Sequence, residues 1–219
     1  STSLSGLMVL STLVGIVTLL ALMIDLAGDG TSRLSWTFFS AFPSRFPEKA
    51  GILCAWVGTG VVMFVTALAA VPMGVAAGVY LEEYAPKNWM TTLIEINIAN
   101  LAGVPSIVYG LMALSLFVYK FKFGMSVLTA GLTLALLILP IVIMATREAI
   151  RTIPSSIREA AFAVGATKWQ LVRHHIIPYS AGGILTGVII GLSRAIGESA
   201  PLITIGALTF IAFLPASPF

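Results

Sequence analysis

The chain has 219 residues, of which 58% are hydrophobic and 10% are charged, with a net charge of +3. An ordinary soluble domain carries about 25% charged residues, so this composition excludes a soluble globular protein and indicates an all-α membrane protein in contact with a lipid bilayer. The basic residues stand at the ends of apolar runs rather than in one patch, which excludes a nucleic-acid partner. The single cysteine, Cys54, permits neither an internal disulfide nor a cysteine-based metal site.

Charge-free runs predict five transmembrane helices, because a helix needs about 20 apolar residues to cross the hydrocarbon core. The runs cover residues 4–24, 52–81, 96–119, 123–146 and 177–206. Only the last is interrupted, by Arg194 and Glu198. We expect the first run to be a retained anchor. The odd number of spans and the apolar, proline-broken ending over residues 213–219 lead us to expect a sixth span that this sequence does not contain.

Two connections between the runs carry most of the remaining information. Basic residues cluster around residues 147–178, and the positive-inside rule therefore places this connection in the cytoplasm. Residues 27–51 would then form an extracytoplasmic loop. This loop mixes Gly, Pro and aromatic residues such as Trp36 and Phe39, which favours either an interfacial aromatic belt or a docking site for an external partner.

The third run holds three polar candidates for a substrate pathway. Asn97 and Asn100 are three residues apart and share a helix face, and interhelical hydrogen bonding is the alternative role for them. Ser106 follows Pro105, where a break in the helix would free backbone donors. We therefore treat all three as candidate pathway residues.

The fifth run places its charges and its glycines together. With about 100° per residue on an α-helix, Arg194 and Glu198 share a face with Gly183, Gly187 and Gly191. Glycines at four-residue spacing let two helices pack closely in a membrane, and we expect an equivalent helix of a second subunit as the partner. Charges at such depth face a protein interior or a water-filled path, because lipid exposure costs about 2.5–3.5 kcal/mol. Arg194 is the anion candidate, since its guanidinium fork fits an oxyanion; a purely structural ion pair is the alternative.

The cytoplasmic connection carries a motif with fixed spacing. Glu159, Ala160 and Ala161 are followed by Gly165 and, thirteen residues later, by Pro178. This motif resembles the EAA loop of ABC importer permeases, in which a short helix pair docks in a groove of a cytoplasmic ATPase. Small alanines let a partner surface approach, the glycine permits a sharp turn between two helices, and the proline can open the next helix.

Three further motifs narrow the resemblance. They are Tyr-Leu-Glu-Glu-Tyr at residues 80–84, Gly-Val-Pro-Ser-Ile-Val-Tyr-Gly at residues 103–110, and Leu-Ser-Arg-Ala-Ile-Gly-Glu-Ser-Ala-Pro-Leu at residues 192–202. Together they are similar to the phosphate-specific permease subunits of the PstA type, over roughly residues 51–214. The resemblance implies a type I ABC importer permease fold, a single permease domain over residues 1–219, and a multi-pass location in the bacterial cytoplasmic (inner) membrane.

The resemblance also implies partners and a function. The chain would move inorganic phosphate into the cytoplasm together with a second permease subunit of the PstC type, an ATPase dimer of the PstB type and an extracytoplasmic phosphate-binding protein of the PstS type. ATP and Mg would be bound by the ATPase, because the chain has no glycine-rich phosphate loop. No catalytic or metal constellation is expected, since the adjacent His174 and His175 diverge by about 100° on a helix. The alternatives are a permease for another oxyanion or small solute, and an ATP-independent transporter or channel, against which the EAA spacing argues.

Overall fold

The computed structural model describes the backbone of residues 2–206 and the side chains of residues 5–206. The elements in this part of the chain are all helical, and the α-helices are α1 (Thr2–Gly30), α2 (Trp36–Ser40), α3 (Leu53–Val79), α4 (Trp89–Leu101), α5 (Ser106–Ala113), α6 (Val127–Arg151), α7 (Ser155–Ala163), α8 (Lys168–Leu171), α9 (Ile177–Ile196) and α10 (Ala200–Thr204). Wider π-helical turns follow α3 (Tyr80–Tyr84), follow α5 (Leu114–Lys120) and precede α9 (Val172–Ile176). The all-α membrane fold is confirmed, while the ending at residues 213–219 lies outside the described residues.

Four helical runs of the described chain are long and apolar enough to cross a membrane: Ser5–Arg33, Leu53–Tyr84, Val127–Arg151 and Lys168–Ile196. The third expected span is instead broken, because α4 and the run Ser106–Lys120 meet at an angle of 101°. Pro105 explains the break, since it has no N–H to donate and its backbone is extended at φ −54° and ψ 133°. The prediction of five spans therefore holds only when this bent pair is counted as one.

The described chain separates into two compact units near Trp56. The first unit contains α1, which continues to Gly30, past the predicted end of its span at residue 24. The longer helix includes Asp25 and Asp29 in its last turns. These two carboxylates therefore belong to the helix end rather than to the loop that follows.

Hydrogen bonds to backbone carbonyls link the two ends of the loop in the first unit. The Gly51 N–H donates to the Phe42 carbonyl at 3.1 Å, and the Trp56 indole N–H donates to the Phe39 carbonyl at 3.0 Å. Trp36 is 85% exposed at the start of α2. An exposed aromatic ring on a folded loop suits both the interfacial belt and the docking site, so both interpretations of residues 27–51 stay predictions.

Helix α6 forms the centre of the second unit. Leu134, Ile138 and Val142 are each at most 1% exposed. Helix α3 lies close to α6 where it carries glycine: a Cβ built on Gly74 would lie 2.7 Å from Val142 Cγ1. The Thr66 hydroxyl also donates across this contact to a carbonyl of α6 at 3.1 Å. Small residues thus bring the two backbones together, as is usual for helices in a membrane.

Helix α9 packs on α6 through Gly183, Gly187 and Gly191, which together form a glycine strip along one face of α9. A Cβ built on Gly183 would lie 2.7 Å from the Cβ of Ala149, and one built on Gly187 would overlap the Cβ of Ala145. Gly191 is buried on the same face. The strip therefore serves a close helix contact inside this chain, and the prediction of a second subunit as its partner is wrong. The physical reason is that α6 presents Ala145 and Ala149 at the same four-residue spacing.

Candidate functional site

The connection over residues 147–178 contains two short helices, α7 and α8, joined by a tight turn. Gly165 lies between α7 and α8 with φ +83°, a conformation that favours glycine because a Cβ would be strained there. The next helix is fixed by a capping box: the Gln170 N–H donates to the Thr167 hydroxyl oxygen at 3.3 Å, and the Thr167 N–H donates to Gln170 Oε1 at 2.8 Å. The turn at Gly165 and the start of α8 are thus each stabilised by a local interaction or conformation.

The two alanines of the motif differ in burial. Ala161 is 6% exposed and packs in an apolar cluster with Val79, Ile150 and Leu171. Glu159 and Ala160 are exposed. The buried alanine therefore fixes α7 to the spans, whereas the outer residues leave a small, open surface for a partner.

Pro178 lies in the first turn of α9. It is the second residue of that helix and comes two residues after the π-helical turn that ends at Ile176. A proline is tolerated at this place because the first N–H groups of a helix have no partner within it. The turn and α9 together belong to the longer helical run Lys168–Ile196, so Pro178 begins an α-helix but not a new span.

A charge cluster lies where α3, α4, α6 and α7 come together. Its members are the arginines Arg147, Arg151 and Arg158 and the glutamates Glu82, Glu83, Glu95 and Glu148. Arg147 is 2% exposed, and its guanidinium lies 2.6 Å from Glu95 Oε1 and 3.4 Å from Glu82 Oε2. Loss of one partner from such a buried pair costs about 3–5 kcal/mol, because it leaves an uncompensated charge.

Sequence reasoning missed this cluster because it used the arginines only to assign topology. Arg147 and Arg151 are four residues apart and so share a helix face, which was a usable signal. Their carboxylate partner Glu82 is far away in sequence, however, and only the packing of α3 on α6 brings it near: Arg151 Nε lies 3.0 Å from Glu82 Oε2. No local pattern gives that pairing.

Arg194 and Glu198 form the ion pair that the sequence predicted, although only Arg194 lies on the helix α9. Helix α9 ends at Ile196, so Glu198 lies beyond the helix and not on its glycine face. A turn brings it back, with the Glu198 N–H donating to the Ala195 carbonyl at 3.2 Å. Arg194 Nε then lies 3.6 Å from Glu198 Oε1, with the two side chains 41% and 21% exposed. The distance is long for an ion pair, and both side chains are partly exposed.

Two helix breaks meet near this pair. One is the break at residues 102–105 and the other is the break at residues 197–199 that separates α9 from α10. Val104, Tyr109, Ala195 and Leu202 from the flanks of both breaks share one apolar cluster. Non-helical backbone at membrane depth is tolerated where it is buried in protein or lines a water-filled cavity. The paired breaks, with Arg194 and Glu198 at one of them, are therefore the candidate pathway site.

The positions of the other three pathway candidates say less about their roles. Ser106 is half-buried at the first residue of α5, directly after the first break. Asn97 and Asn100 are both exposed on α4, and the Asn97 amide donates to the Leu93 carbonyl of its own helix at 2.7 Å. Among residues 5–206 neither asparagine is paired with Arg194 or Glu198, and no group of three or more metal-ligating side chains occurs there. Their pathway roles stay predictions.

Known proteins fit this architecture. Residues 70–217 match the family described as the binding-protein-dependent transport system inner membrane component. The chain belongs to this family of ABC importer permeases. It is thus an inner-membrane transport component, as the sequence predicted, and the family resemblance stated from its motifs is confirmed.

Individual relatives agree with the family. The chain is 34% identical over 181 residues to the probable ABC transporter permease protein YqgI of Bacillus subtilis, covering 83% of this chain and 62% of YqgI. It is 33% identical over 198 residues to the phosphate transport system permease protein PstA of Haemophilus influenzae, covering 90% and 70%. The chain therefore spans less than two thirds of the length of relatives such as YqgI.

A solved structure supports the fold. A chain of the inward-facing MetNI methionine ABC transporter superposes with a TM-score of 0.62 at 21% identity, covering 71% of this chain and 74% of that one. At this identity the likeness concerns the fold alone. The type I permease fold expected from the motifs is accordingly confirmed.

Proposed function

We propose that this chain is the permease subunit of an ATP-driven importer that moves inorganic phosphate into the cytoplasm. The observation that carries the proposal is the similarity to the PstA protein of Haemophilus influenzae, which extends over 90% of this chain. The paired breaks and the EAA loop both lie within residues 70–217, which match the family of transport components. Phosphate, rather than another solute, follows from the name of that relative together with the chemistry of Arg194.

Arg194 has donors to spare for an oxyanion. Its partner among the described residues is Glu198, at 3.6 Å, whereas the arginines of the charge cluster reach carboxylates at 3.0 Å or less. A guanidinium stays charged and offers a planar fork to phosphate oxygens. Glu198 repels an anion at the same place, which keeps binding weak enough for release. Ser106, at the start of a helix beside the other break, would add a hydroxyl donor to the path.

The chain would not hydrolyse ATP itself. Glu159, Ala160 and Gly165 form the outer part of the helix pair that would dock into an ATPase dimer of the PstB type, which binds ATP and Mg. A second permease subunit of the PstC type would complete the pathway, and a binding protein of the PstS type would deliver phosphate from outside. This division of labour makes the chain a non-catalytic subunit that converts a movement of the ATPase into opening of the path.

The proposal is tested by uptake into proteoliposomes that contain the complete transporter with ATP inside. We expect uptake of radiolabelled phosphate that requires ATP and the binding protein, and that excess unlabelled sulfate does not compete away. Equal competition by sulfate would favour a permease for another oxyanion. Uptake that continues without ATP would favour an ATP-independent transporter or channel and would overturn the proposal.

A further inference from the structure

One side chain ties the coupling helix α7 to two other elements. The Arg158 guanidinium donates from Nη2 and Nε to Glu83 Oε1, at 2.7 and 3.1 Å. It also donates from Nη1 to the Ile153 carbonyl at 2.8 Å, and from Nη2 to the Ile150 carbonyl at 3.3 Å. Arg158 thus joins α7, the carboxyl end of α6 and the residue Glu83 beyond α3.

Glu83 is held where it cannot exchange partners easily. Its side chain is 7% exposed, against 25% for Arg158. It belongs to the π-helical turn Tyr80–Tyr84, which the Ala85 N–H closes by donating to the Tyr80 carbonyl at 2.8 Å. The neighbouring Glu82 contacts α6 through Arg151. Of these two adjacent glutamates, Glu83 therefore pairs with the coupling helix and Glu82 pairs with α6.

We infer that the Glu83–Arg158 ion pair is the link that makes the end of α3 move together with the coupling helix when the ATPase closes. The inference rests on the proposed function, because it assumes that α7 is driven by an ATPase. Glu83 and Arg158 are positioning residues in this role, since they lie in the charge cluster and not at the paired helix breaks.

The other contacts of α7 are less suited to transmit a displacement to α3. Ala161 shares an apolar cluster with Val79 and Ile150, but apolar packing is non-directional and constrains the direction of a displacement less than a hydrogen bond does. The covalent connection through residues 152–154 joins α7 to α6, not to α3. A charge-assisted hydrogen bond, by contrast, is short and directional. The ion pair is therefore the directional contact between α7 and the end of α3.

The first test measures distance in the complete transporter, independently of any substrate. Spin labels are placed at Lys87, after the two adjacent glutamates, and at Ser156 in the first turn of α7, on a Cys54→Ser background. Both positions are exposed. We expect one narrow distance distribution that is the same without nucleotide and in the ATP–vanadate state. In the Glu83→Gln variant the distribution should broaden or shift between the two states.

The second test measures phosphate taken up per ATP hydrolysed in proteoliposomes. Glu83→Gln and Arg158→Gln should lower this ratio about tenfold while ATP hydrolysis persists, a size within the range by which single side chains alter coupling between sites. Glu148→Gln is the matched control, because it removes a carboxylate that is 61% exposed and whose ion-pair partner among residues 5–206 is Arg151. It should leave the ratio close to that of the wild type.

The outcomes separate the link from the proposed substrate. A wild-type complex that takes up no phosphate would contradict the proposed substrate, and the distance measurement would still decide on the link. Unchanged distances and an unchanged ratio in a stably assembled Glu83→Gln complex would overturn the inference. If that variant does not assemble, Arg158→Lys replaces it: the lysine keeps the charge but cannot reach Glu83 and both carbonyls at once, so the ratio should still fall.

Discussion

Arg194 differs from the arginines of the charge cluster because it is only loosely paired, at 3.6 Å from Glu198. We predict that Arg194→Gln abolishes phosphate uptake, since it removes the positive charge and leaves Glu198 to repel the anion. Arg194→Lys should restore part of the uptake, because an ammonium keeps the charge and loses the planar fork. Uptake by complexes of verified assembly is the measurement, with Arg33→Gln at the last residue of the first helical run as control. Wild-type uptake by Arg194→Gln would leave a structural ion pair as its only role.

Two glycines of α9, Gly187 and Gly182, differ in the space around them and allow a matched comparison of single substitutions. We predict that Gly187→Ala lowers the melting temperature of the purified protein, because the new methyl group would overlap the Cβ of Ala145; overpacking of this kind costs about 1–3 kcal/mol. Gly182→Ala should be neutral or stabilising, since nothing lies within 4 Å of a Cβ at that position. Thermal unfolding in detergent compares the two variants. Equal melting temperatures would contradict the close contact, and recovery by Ala145→Gly would support it.

At the scale of elements, α7, the proposed coupling helix, has one exposed alanine, Ala160, and one buried alanine, Ala161. We predict that Ala160→Glu leaves the protein stable but weakens binding of the ATPase, because the longer charged side chain stands on the exposed surface. Ala161→Glu should instead reduce the yield of folded protein, since it places a carboxylate in an apolar cluster. Co-purification of the ATPase and thermal unfolding, measured on both variants, separate these effects. Equal behaviour of the two variants would mean that the assignment of one exposed and one buried alanine is wrong.

The helix breaks mark the limit of what sequence could predict about elements. The apolar runs located the spans, and Pro105 indicated a break, because a missing N–H is visible in the sequence. The bend of 101° at that break was not predictable, since its size depends on how α5 packs beside α10. Glu198 illustrates the same limit. Helical periodicity placed it one turn after Arg194, and the two residues do pair, although the helix ends between them.

At the scale of the whole molecule, α6 is the helix on which the second unit is built. We predict that Leu134→Ala destabilises the protein by about 2–5 kcal/mol, as truncation of a buried leucine usually does. Leu134 is 1% exposed and lies in the central apolar cluster. Leu185→Ala on α9 should have little effect, because Leu185 is 60% exposed and its surroundings are free to be filled by lipid. Unfolding by denaturant in detergent measures the free energy of unfolding of both variants. Equal losses of that free energy would contradict a core centred on α6.

The composition and the motifs were sufficient to predict the class, the membrane location and the family. They could not give the partners of the charged residues. Glu95 and Arg147 lie in different helices, and their contact depends on packing between α4 and α6 rather than on any local pattern. The glycine strip shows a related limit, since spacing indicates a close contact without saying which helix makes it.

The buried position of Arg147 has a consequence for the order of synthesis. Glu82 and Glu95 leave the ribosome long before Arg147, so a growing chain carries these two carboxylates without the guanidinium that later binds both of them. A nascent chain that stops before α6 also lacks the helix that fills the core. Insertion of α6 therefore supplies the missing charge and the missing core in one step, and the second unit cannot complete its folding before that step.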